Sequence, residues 1–103
     1  MDQKLIKEIL LNIQMRILQI KAFYELKEFD VCESLMLSTD QLLNRKGILA
    51  YHKIVFKNFI RLFKQLLSLN SYDKAAKPKL KEVIQNTEKV IDKVWLIDKV
   101  NLL

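Results

Sequence analysis

One glycine, Gly47, and one proline, Pro78, punctuate a chain of 103 residues. That scarcity constrains the fold more than any other feature. Sheets need many tight turns, and tight turns draw on Gly and Pro, so an all-β fold is excluded; a few long helices with short connections need little of either. Half the residues are hydrophobic, enough to build a core and to remove the chain from the disordered class. Residues 1–103 are expected to form a single all-α domain with a modest core.

Apolar periodicity outlines the helices. The first is expected over Gln3 to Leu26, roughly 36 Å long at 1.5 Å per residue. At 100° per residue, Leu5, Ile6, Ile9, Leu10, Ile13, Ile17, Ile20, Phe23 and Tyr24 share one broad arc. Leu11, Met15, Leu18, Ala22 and Leu26 form a second arc on the other side. A helix at the edge of a bundle needs one apolar stripe, and two stripes imply neighbours on both sides. The second helix is expected after Asp30, with Asp30 and Glu33 as an Asp version of the capping box. It should stop near Asn44, ahead of Arg45-Lys46-Gly47. A third helix is expected over Ile48 to Leu69, with Tyr51, Val55, Phe56, Phe59 and Phe63 on its apolar side. A fourth starts near Pro78, tolerated in a first turn. Its register would place Asp98 inside and Leu96 outside, so a break is expected near Asp92, with Asp92 capping a short final helix through Trp95, Ile97 and Val100.

The net charge of +6 is unevenly distributed. Residues 41–72 carry six basic and no acidic side chains, while residues 1–40 carry five basic and seven acidic. Lys53, Lys57, Arg61 and Lys64 line one side of the third helix, with Arg45 and Lys46 at the preceding turn. This stripe is read first as a solvated face, and as a candidate phosphate or nucleic-acid surface second. The nearby Phe56, Phe59 and Phe63 point to the core side, so no stacking platform accompanies the charge.

Phe23, Leu26, Phe29 and Cys32, with Thr39 further on, resemble the inter-helix corner of a tetratricopeptide repeat (TPR). That family sets aromatics and a Leu across the turn and small residues on the second helix. Arg16, Ile20 and Lys27 depart from the family's aromatic and glycine positions, and no repeat period can be counted. More broadly, residues 23–30 and Trp95-Leu96-Ile97-Asp98-Lys99 are similar to the C-terminal ends of TPR-like helical-repeat proteins of unknown function from Bacteroidetes. The resemblance implies a stack of two antiparallel helical hairpins, about four long helices, closed by a short C-terminal helix at the end of a longer array. It implies no catalytic residue. Separately, Arg45 and His52 match the Arg-x(4–6)-His spacing of HEPN-type ribonucleases, where the pair serves RNA cleavage. Here Lys46 follows the Arg, and His52 projects onto the apolar side of the third helix. A core histidine is the plainer reading.

Cys32 has no ligand at metal-binding spacing and reads as a packing residue. Neither a glycine-rich phosphate loop nor an apolar run of membrane-spanning length occurs, and no cofactor is implied. The functional expectation is a cytoplasmic protein–protein interaction or scaffolding module. Leu11, Met15, Leu18, Ala22 and Leu26 would meet a preceding repeat, a second copy or a partner helix. Nucleic-acid binding through Arg45, Lys46, Lys53, Lys57, Arg61 and Lys64 is the alternative, and a HEPN-like ribonuclease a distant third.

Overall fold

In the computed structural model, which describes residues 3–69 and 73–103, helix α1 (Gln3–Glu25) is closed by a left-handed residue, Lys27, with φ 61°. The Lys27 amide donates to the Tyr24 carbonyl at 3.0 Å, and the Glu28 amide to the Phe23 carbonyl at 2.9 Å. These paired bonds satisfy the last carbonyls of the helix, an arrangement in which glycine usually takes the left-handed position. For lysine, left-handed backbone costs about 1–2 kcal/mol. Because the turn closes on the backbone, helix α2 (Phe29–Leu43) starts before Asp30 rather than after it. Glu28 is its N-cap residue and makes no side-chain cap bond. The expected capping box is therefore not formed; Asp30 lies within the first turn, where its charge favours the helix dipole.

α1 and α2 pack against each other. Of the broad arc on α1, Ile9, Ile13, Ile17 and Ile20 are buried. Ile6, Leu10, Phe23 and Tyr24 are half-buried, and Leu5 is exposed. α2 buries Cys32, Met36, Thr39 and Leu43. Two of these are small, which lets the helices approach closely: Cys32 Sγ lies 3.5 Å from the Ile20 carbonyl oxygen. The buried Thr39 hydroxyl donates to the Leu35 carbonyl at 2.6 Å, so no polar group is stranded there. Arg16 ties the two helices, donating from Nη1 to Ser38 Oγ and from Nε to Asn12 Oδ1. Leu26 and Phe29 at the corner are exposed.

α2 stops at Leu43 with Asn44 as its C-cap, as expected. Gly47, at φ 94°, turns the chain. Helix α3 (Ala50–Ser68) begins two residues later than expected, and Ile48 is buried ahead of it. Tyr51, expected inside, is exposed. The chain divides into two compact units, Met1–Lys53 and Ile54–Leu103, and α3 contributes its first turn to one and its remainder to the other.

The second unit is built on the α3 residues Val55, Phe56, Phe59, Ile60, Leu62, Phe63 and Leu66, all buried. Trp95 stacks on Phe63 at 5.9 Å between centroids, and Phe63 stacks on Phe59 at 5.8 Å. Such pairs add about 0.5–1.5 kcal/mol each beyond area burial. Helix α4 (Ala76–Asn86) is led in by Asp73, whose Oδ1 accepts from the Ala75 amide at 3.0 Å; Pro78 falls in the first turn. The polar run from Asn70 to Lys74 reads in the sequence as the longest connection; its residues Asn70, Ser71 and Tyr72 lie outside the described residues.

The fourth helix ends earlier than its register predicts: α4 stops at Asn86, six residues before Asp92, and the short final helix expected after Asp92 follows. Thr87 is extended (φ −87°, ψ 107°) and its hydroxyl bonds back to the Val83 carbonyl at 2.7 Å. The connection then docks on α3: Asn58 Nδ2 donates to the Lys89 carbonyl at 2.9 Å, and the Ile91 amide to the Val55 carbonyl at 3.4 Å. Asp92 is the N-cap residue of helix α5 (Lys93–Asn101), but it is left-handed (φ 53°) and makes no side-chain cap bond. The break achieves what the register demanded, since Leu96 is buried and Asp98 exposed; Val94 is exposed as well. α4 and α5 pack together and exchange lysines at their C-termini. Lys93 Nζ donates to the Gln85 carbonyl at 3.2 Å, and Lys77 Nζ to the main-chain oxygens of Asn101 and Leu103. Cations at helix C-termini are favourable.

The left-handed strain predicts that Lys27→Gly raises stability by about 0.5–1 kcal/mol, the backbone relief exceeding glycine's extra unfolded-state entropy. Urea denaturation reads this as a higher midpoint at unchanged slope.

Candidate interaction surfaces

The outer face of α1 follows from the period that builds its inner one. With 3.6 residues per turn, Leu11, Met15, Leu18, Ala22 and Leu26 centre on the side of the helix opposite Ile9, Ile13, Ile17 and Ile20. All five are exposed: Leu11 by 60%, Met15 by 52%, Leu18 by 57% and Leu26 by 67%, with Ala22 also in the open. α2, which packs on the inner face of α1, leaves them uncovered. From Leu11 to Ala22 this face carries no charged side chain; Gln14 and Lys21 border it on one side, Asn12 and Gln19 on the other. Isolated exposed leucines are ordinary, whereas a contiguous apolar line is a recognised mark of interaction surfaces.

Five further exposed apolar residues of the first unit, Leu5, Phe29, Leu37, Leu49 and Tyr51, lie outside the candidate stripe. Leu37 was detectable, since it falls outside the apolar face of α2. Tyr51 was not, because its helical phase points inward.

The basic candidates are distributed differently. Arg45 and Lys46 are exposed in the α2–α3 turn, and Arg61 and Lys64 are exposed on α3. Lys53 and Lys57 are half-buried. Phe56, Phe59 and Phe63 are buried, so none of these three rings is open to receive a base.

His52 is half-buried, its ring edge-on to Tyr51 at 5.8 Å, and its Nδ1 is buried without a hydrogen-bond partner. General acid–base catalysis requires a nitrogen within reach of the reacting proton, and Nδ1 is closed off from that role. Among the described residues, no group of three or more His, Cys, Asp and Glu is arranged to hold a metal ion. No helix among them is long and apolar enough to cross a membrane. A groove of about 240 Å³ in the second unit is lined by Gln65, Leu69, Ala76, Lys79, Leu80 and Val83. Comparison with protein-family models, curated proteins and solved structures found no match for the chain.

Cys32 is fully buried, and that burial pushes its thiol pKa up from the usual 9.0. The folded chain then keeps a proton that the unfolded chain loses as pH climbs past 9.0, so this group's contribution is complete below that value and fades as pH rises through the raised one. Wild type should therefore lose stability relative to Cys32→Ala above pH 9.0, by at most about 1.4 kcal/mol per pH unit, in paired urea titrations. A disulfide reagent should label Cys32 slowly in the folded protein and fully in urea.

Proposed function

We propose that this chain is a cytoplasmic protein–protein interaction or scaffolding module without chemistry of its own, binding a helix along the outer face of α1. The observation that carries the reading is the uncovered line Leu11, Met15, Leu18, Ala22 and Leu26 on a helix whose opposite face is already buried. Each fully buried Leu or Met contributes roughly 1.5–3 kcal/mol before the costs of association, and a partner helix would desolvate several at once. The tetratricopeptide-like corner at Phe23, Leu26, Phe29 and Cys32 belongs to the same reading, since arrays of such hairpins work as docking scaffolds through their helix faces.

The test compares wild type with Leu18→Glu. Leu18 is exposed, so the substitution should change stability by less than about 0.5 kcal/mol. Immobilised wild type should retain a specific protein from a lysate of the source organism, and Leu18→Glu should retain it at least about tenfold less. Equal retention by the two proteins refutes the assignment of this face.

A further inference from the structure

We draw no further inference here: the strongest candidate, the exposed apolar line on the outer face of α1, belongs to the surface already described, and nothing in the structure shows what covers it.

Discussion

A chain with one glycine must still reverse direction, and among the described residues it does so at three with positive φ, only one of which is Gly47. Lys27 and Asp92 take the other two positions. Each holds a conformation that L-residues with a Cβ disfavour, so the backbone around it must compensate. At Lys27 the compensation is local: two consecutive amides, those of Lys27 and Glu28, close the end of α1. At Asp92 it is tertiary, since the preceding connection is held to α3 by the Asn58 side chain and by the Val55 carbonyl. Neither reversal is held by a side-chain cap, and the helices stay in place through their buried stripes.

This explains which parts of the fold were legible in the sequence. The apolar period of α1 and the end of α2 at Asn44 could be read within a residue, because burial of one face imposes a pattern on every turn of a helix. The start of α2 could not. Asp30 and Glu33 look like a cap, but the paired backbone bonds of the elbow had already started the helix at Phe29. The clash between Leu96 and Asp98 announced a break between α4 and α5, yet its position depended on Thr87 bonding back to Val83 and on Asn58 across on α3. Of the candidate surfaces, the outer stripe of α1 was visible from its spacing alone. The exposure of Tyr51 depends on what tertiary packing leaves open beside it, which helical phase does not encode.

The close approach of α1 and α2 gives the outer stripe its meaning. Cys32 and Thr39 are small enough to bring α2 close to α1, and Cys32 Sγ reaches the Ile20 carbonyl. Ile9, Ile13, Ile17 and Ile20 are therefore buried on the inner face of α1. The leucines opposite contribute nothing to that packing, and a helix stabilised by one stripe has no need of the second. In the proposed complex their burial would supply free energy comparable in size to the costs of association.

The positive charge, by contrast, is partly engaged in the fold. Lys77 and Lys93 close the C-termini of α5 and α4, and Lys99 sits 5.5 Å from the Trp95 ring centroid. Lys53 and Lys57 are half-buried, as long side chains are when their stems lie along apolar surface and their heads reach water. The net +6 thus overstates the charge standing ready for phosphate. A nucleic-acid surface of this size would also gain from rings to stack on, and the phenylalanines of α3 face the core. The proposed recognition therefore rests on burial of the uncharged outer face of α1, and the lysines would add only a salt dependence to such an encounter.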